Sequence, residues 1–303
     1  MAPNTLRDPD NLRGIFLMLV SMALFAVEDM FLKMASASLP TGQIIFVAGF
    51  LGAPVFAVMA WLQGARILTR FALHPAVLLR ALGEMVGTFG YILALATVPL
   101  STISAVLQAM PLAVTMGAAL FMQEKVGWRR WSAIAVGFAG VILVIRPGMD
   151  GFHPQALWGL LTVAGLALRD LAARAIPRAC SDAQVSCWGL MAVALLGVLM
   201  MIGEGDVRVP TYWQSAILFG ALAFGTAGYW AITAATRTGE VSVVAPFRYS
   251  RLIFAILIGT FVFAEIPDVI TLSGAALIIG SGLYSFARER ARKRALPITA
   301  PAR

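Results

Sequence analysis

The chain has 303 residues, of which 60% are hydrophobic and only 13% charged, with a mean hydropathy of +0.85. A soluble globular domain carries nearly twice that charged fraction, so the composition argues for a membrane protein. The net charge of +8 sits largely in basic clusters beside apolar stretches, as in Arg288–Arg294, where an orientation signal and attraction to anionic lipid are expected rather than nucleic acid.

A helix needs about 20 mainly apolar residues to cross a hydrocarbon core of about 30 Å. Ten such stretches follow in order over 14–35, 41–62, 76–97, 100–122, 129–146, 155–176, 183–203, 212–235, 239–263 and 269–287. The first follows Arg7 and Arg13 as a signal peptide would, but it lacks an Ala-x-Ala-like end and carries Glu28, Asp29 and Lys33, so it reads as a retained helix. Connections are short and hold the punctuation, as in Leu39-Pro40-Thr41-Gly42 and Arg146-Pro147-Gly148. Trp61, Trp128, Trp131, Trp158 and Trp213 fall near the ends of these stretches, where amphipathic rings favour the interface.

With the N-terminus cytoplasmic, the inner segments collect 15 of the 23 Lys and Arg residues, including Lys125 and Arg303, against Arg146 and Arg208 on the other side and six within helices. That asymmetry predicts cytoplasmic termini, with tails at 1–13 and 288–303, in the inner membrane of a bacterium. Cys180, Cys187, His74 and His153 are too scattered for a metal site, and no nucleotide-binding, zinc-hydrolase or serine-hydrolase motif is present. No cofactor is expected, and neither an enzyme nor a receptor scaffold is the expected reading.

An internal duplication is legible. Asp29 and Lys33 recur as Asp170 and Arg174, 141 residues later. The same offset takes Gln43 to Gln184, Gly87 to Gly228, Thr97 to Thr238 and Glu124 to Glu265. Five helices per copy mean that the second copy, 155–287, enters the membrane from the face opposite to the first, 14–146. Such inverted repeats are the architecture of secondary transporters, with the substrate near the midplane where the halves meet.

The segments Phe121-Met122-Gln123-Glu124 and Val262-Phe263-Ala264-Glu265, each followed by a glycine-spaced helix, identify a resemblance. The chain resembles the EamA-type branch of the drug/metabolite transporter superfamily over 14–287. The resemblance implies an all-α fold of ten transmembrane helices in two inverted repeats, with helices three, four, eight and nine lining a central cavity. The segment Ala245-Pro246-Phe247-Arg248-Tyr249 looks like a form found in the subgroup that includes S-adenosylmethionine uptake carriers, while related branches carry amino acids and riboflavin.

Six cations and four acids lie within the ten stretches, and charge at that depth is expensive unless paired or wet. Lys33 and Arg174 are each expected to pair with the aspartate one turn back, making Asp29-Lys33 and Asp170-Arg174 matched stabilisers or gates. Arg80 and Glu84 share one face of the third helix. Arg251 is expected in a fixed salt bridge. Arg248 has two readings, a substrate anion held by the guanidinium fork or a salt bridge to Glu84 or Glu28. Tyr91, Tyr229, Trp230 and Tyr249 offer rings for a ligand, and Gln108 precedes Pro111 as Pro246 precedes Arg248, marking helices with freed carbonyls. Glu28, Asp29 and Glu84 are candidates for proton coupling, with Arg80, Arg169 and Arg251 grouped beside them as gate or coupling residues and with uniport or exchange as the alternatives. The expected ligand is a small zwitterionic, amino-acid-like metabolite, with S-adenosylmethionine or riboflavin as alternatives, carried by a monomer or homodimer.

Overall fold

The computed structural model describes residues 9–124, 126–148 and 152–295. Three cations of the orientation argument, Arg7, Lys125 and Arg303, lie outside the described residues. The apolar stretches form ten helices long enough to cross a membrane. They are α1 Pro9–Ser36, α2 Thr41–Leu62, α3 Pro75–Thr97, α4 Leu100–Phe121, α5 Trp128–Ile145, α6 Pro154–Ala173, α7 Asp182–Glu204, α8 Tyr212–Thr238, α9 Ala245–Phe263 and α10 Val269–Ala295. No strand occurs among the described residues. Ten crossings return both described ends to one face, here the terminal face, and leave a distal face opposite.

The five tryptophans expected at span ends are exposed there, which suits the interface. Trp188 instead is buried, and its indole donates to the Ile67 carbonyl at 3.1 Å. Helix α7 starts on a capping box of Ser181 and Gln184, and α8 on one of Thr211 and Gln214.

The two halves interlock rather than sit side by side. Helix α1 packs on α8 and α3 on α6, two contacts exchanged by the repeat, while α2–α7 and α5–α10 join equivalent helices. The α2–α7 seam depends on missing side chains. A β-carbon on Gly49 would meet the Ala194 nitrogen at 2.4 Å, so the backbones approach as closely as small residues allow. On the distal face Arg146 ties α5 to α10 through Asp268 and Thr271, and its guanidinium holds the Asp268 carboxyl down to about 2.

Helices α4 and α9 are both interrupted. The first divides into Leu100–Leu107 and Met110–Phe121 around Gln108 and Ala109. The ninth, expected as one run over 239–263, instead has a turn at Val241–Val244, a 3-10 segment at Ala245–Tyr249 and a helix from Ser250. Pro111 and Pro246 explain the breaks, because each lacks an N–H and its ring clashes with the preceding turn. The breaks meet. Gln108 donates from Nε2 to the Tyr249 carbonyl at 3.0 Å, and these two residues are equivalents under the 141-residue offset. Inverted symmetry thus brings both weakened helices to one place in the middle of the bundle.

Candidate functional site

The charged residues within the helices fall into four groups, the first at the ends of the bundle. Each half finishes its fourth helix alike. Gln123 and Ala264 are equivalent, and both take a left-handed backbone near φ +55°. The next N–H, of Glu124 or Glu265, bonds back to the carbonyl of Ala118 or Gly259. This turn aims each glutamate at the other half. Lys33 Nζ meets Glu265 Oε1 at 2.8 Å, and Arg174 Nη1 meets Glu124 Oε1 at 2.7 Å.

These pairs correct the expectation that Lys33 and Arg174 bind the aspartates one turn back. A pair within one helix contributes only about 0.2–0.5 kcal/mol, and long basic side chains extend toward the helix end. Glu265 also accepts from the Leu100 N–H at 2.7 Å, while Lys33 donates to the Val98 carbonyl at 2.6 Å. The distal pair is sheltered, with side chains 14% and 20% exposed against 43% and 49% for its terminal-face equivalent. A cleft of about 510 Å³ lined by Lys33, Leu95, Trp213, Ile217 and Phe263 opens beside the distal pair.

If the pair holds the distal end shut, reversing either charge alone sets like charges within 3 Å, which costs several kcal/mol. Lys33→Glu and Glu265→Lys are each expected to lower both thermal stability and transport, and the double exchange to recover part of both, since it restores the ion pair but not the bonds to the Leu100 N–H and the Val98 carbonyl. Recovery of neither would mean that the contact is incidental.

The second group is a buried network. Asp29, 0% exposed, accepts from Arg251 Nε at 3.1 Å and from Nη2 at 2.8 Å at each oxygen. The Tyr91 hydroxyl donates to the same carboxylate and accepts from Arg251 Nη2 at 3.3 Å. Phe25 stacks under the guanidinium at 5.4 Å. The expected fixed salt bridge of Arg251 is present, with Asp29 as its partner.

The third group joins α3 to α6. Glu84 lies between Arg80 at 3.6 Å and Arg169 at 3.2 Å, and Arg169 reaches Asp170 at 2.9 Å. Arg80 also donates to the Val185 carbonyl at 3.2 Å, tying in α7. Gly87 serves this packing, since a β-carbon there would meet Leu166 at 2.6 Å. Asp29 and Asp170, equivalent in sequence, therefore do not form equivalent pairs. The matched ion pairs are Lys33–Glu265 and Arg174–Glu124, and neither glutamate was singled out as a site residue from sequence. Helices α1 and α6 bring charges inward beside the α3 and α9 expected from the resemblance.

Two charges remain. Neither the Arg248 nor the Glu28 side chain makes a hydrogen bond or ion pair among the described residues. Arg248 stands exposed on the 3-10 segment of α9, within electrostatic reach of Asp170, Arg169 and Arg251. It forms no bond within either network. Glu28, half-buried on α1, is within reach of Asp29 and Arg251. The salt bridge of Arg248 to Glu84 or Glu28, one of its two readings, is not formed.

The rings expected at a ligand disperse. Tyr91 belongs to the Asp29 network. Tyr229 meets Phe56 edge-on at 4.7 Å, Tyr249 sets its hydroxyl over Gly282 of α10, and Trp230 is 63% exposed. Gln108 binds backbone at the junction of α4 and α9. No group of three or more His, Cys, Asp or Glu residues able to hold a metal occurs among the described residues.

Comparison with known proteins agrees with this architecture. The profile of the EamA-like transporter family matches residues 12–146 and again 153–286. The S-adenosylmethionine uptake transporter of Rickettsia felis is 25% identical over 281 residues, covering 92% of this chain and 94% of that protein. The riboflavin transporter of Vibrio cholerae is 27% identical, covering 93% and 96%, and the pseudopaline exporter of Pseudomonas aeruginosa 25% identical, covering 88% and 93%. A crystal structure with 19% identity superposes at a TM-score of 0.59 over 93% of this chain and 99% of the other, which shows a shared fold.

Proposed function

This chain belongs to the EamA-like transporter family, and on that premise we propose that it carries a small zwitterionic metabolite with an amino-acid-like head group across the bacterial inner membrane. One observation carries the reading. Of ten charges within the helices, eight are engaged by partners among the described residues, and the two without one there are one cation, Arg248, and one anion, Glu28.

An unmatched arginine deep in a membrane bundle is costly unless water or a ligand reaches it. Arg248 is exposed on an interrupted helix, and its planar fork suits a carboxylate. S-adenosylmethionine, named for several relatives, carries an amino-acid head and fits the charge pattern. Riboflavin, named for others, lacks these charges and fits less well. Alternating access would rock the two halves about the Gln108–Tyr249 junction, with Lys33–Glu265 and Arg174–Glu124 as the contacts made and broken. The lysine and arginine distribution supports cytoplasmic termini. Asp29 and Glu84 are engaged by arginines, which leaves Glu28 of the three carboxylates considered for proton coupling.

Counterflow in proteoliposomes with amino acids, S-adenosylmethionine and riboflavin tests the reading. Exchange of a carboxylate-bearing zwitterion is the expected result. Exchange of riboflavin alone would overturn it. Net uptake with and without an imposed pH gradient tests coupling, and equal uptake under both conditions would remove the proton from the cycle.

A further inference from the structure

Glu28 is the second unmatched charge, and the repeat reveals what its surroundings lack. Adding 141 to 28 gives Arg169, and subtracting 141 from 225 gives Glu84. Arg169 of α6 and Glu84 of α3 face and pair at 3.2 Å. At the equivalent place in the other half, Glu28 of α1 faces Gly225 of α8. A β-carbon on Gly225 would fall 2.5 Å from Glu28 Oε1, so the carboxylate rests against bare backbone. The countercharge that one half supplies from its own side chain is absent from the other.

No neighbour makes up the deficit. Asp29 carries the same sign, and Arg251 is already engaged by both Asp29 oxygens. The residues one turn to either side of Glu28 are aromatic and face the same helix, Phe25 against Gly228 and Phe31 against Gly220 and Phe224. Phe25 already carries the Arg251 guanidinium, while a carboxylate beside an aromatic ring such as Phe31 is a setting that favours an organic cation.

We propose that Glu28, lying over Gly225, is the subsite for the cationic centre of the transported zwitterion, an ammonium or a sulfonium. This inference rests on the zwitterion reading and adds to it the residue that takes the positive end, while Arg248 takes the carboxylate.

The test uses purified full-length protein in detergent and equilibrium binding of three probes. S-adenosylmethionine carries carboxylate, ammonium and sulfonium, S-adenosylhomocysteine lacks the sulfonium, and a deaminated analogue of the latter keeps only the carboxylate. A bond between charged groups contributes about 1.5–3 kcal/mol, so Glu28→Gln should weaken S-adenosylmethionine binding on the order of 10- to 100-fold and leave the deaminated analogue unchanged. An equal loss for S-adenosylhomocysteine identifies the ammonium as the occupant, and no loss identifies the sulfonium. Gly225→Ala, which displaces the carboxylate, should reproduce the pattern and decides the matter if Glu28→Gln does not fold.

Equal weakening of all three probes overturns the proposal, as does no weakening of any. So does a Glu28→Gln protein that binds normally but loses only the pH dependence of transport, or a wild type that prefers no cation-bearing probe. Failure of Arg248→Ala to weaken the deaminated analogue would instead strike the zwitterion reading, which keeps the two failures distinct.

Discussion

Arg251→Leu is expected to destabilise the folded protein by about 3–5 kcal/mol, because it leaves the Asp29 carboxylate buried without its countercharge. Asp29 is 0% exposed and receives three of its hydrogen bonds from that one guanidinium. The Tyr91 hydroxyl alone cannot replace them, since it brings no positive charge. The midpoint of thermal unfolding in detergent is the measurement. The double variant Asp29→Leu/Arg251→Leu should recover most of the loss, because two apolar residues remove the stranded charge instead of exposing it. A single variant within about 1 kcal/mol of the parent would show that water reaches Asp29 and that the network is not structural.

Arg248→Ala should behave in the opposite way. Arg248 makes no ion pair among the described residues, so its removal strands no partner and should leave the unfolding midpoint within the range of ordinary surface substitutions. Transport should nevertheless fall. Removing one member of a desolvated charge pair costs about 2–5 kcal/mol, which in kcat/KM is on the order of 30-fold to a few thousandfold. Arg248→Lys keeps the charge without the planar fork and should fall between the two. Loss of stability alongside transport would assign Arg248 to the scaffold with Arg251. Two arginines three residues apart on one helix are thus separated by experiment into a structural and a ligand-binding member.

Much of the fold was legible because lipid imposes a length and a composition on every crossing. Eight of the ten helices start and end within about five residues of the apolar stretches, and the duplication predicted inversion; α10 runs on past its stretch to Ala295. The late start of α9 shows the limit. Its apolar run is continuous, and only Pro246 and the junction with α4 divide it.

Pair identities were harder to read, for a definite reason. Spacing along one helix is visible in sequence, and it suggested Asp29 with Lys33 and Asp170 with Arg174. The partners actually used lie in other helices and depend on interlocking that hydropathy does not encode. A signal was present. Lys33 with Arg174 and Glu124 with Glu265 share one offset, so exchange of halves would pair each cation with the other half's glutamate. Glu28 carried no such signal, because its equivalent is an arginine and the position facing it holds a glycine.

S-adenosylmethionine and its methyl ester, used as competitors of counterflow, probe whether Arg248 is left free to hold a carboxylate. On the parent protein the ester should compete at least about tenfold less well, since it has lost the anion that a charged bond recognises. On Arg248→Ala that difference should vanish, with both compounds equally weak. The same discrimination on both proteins would show that the carboxylate is read elsewhere and that Arg248 does not hold it.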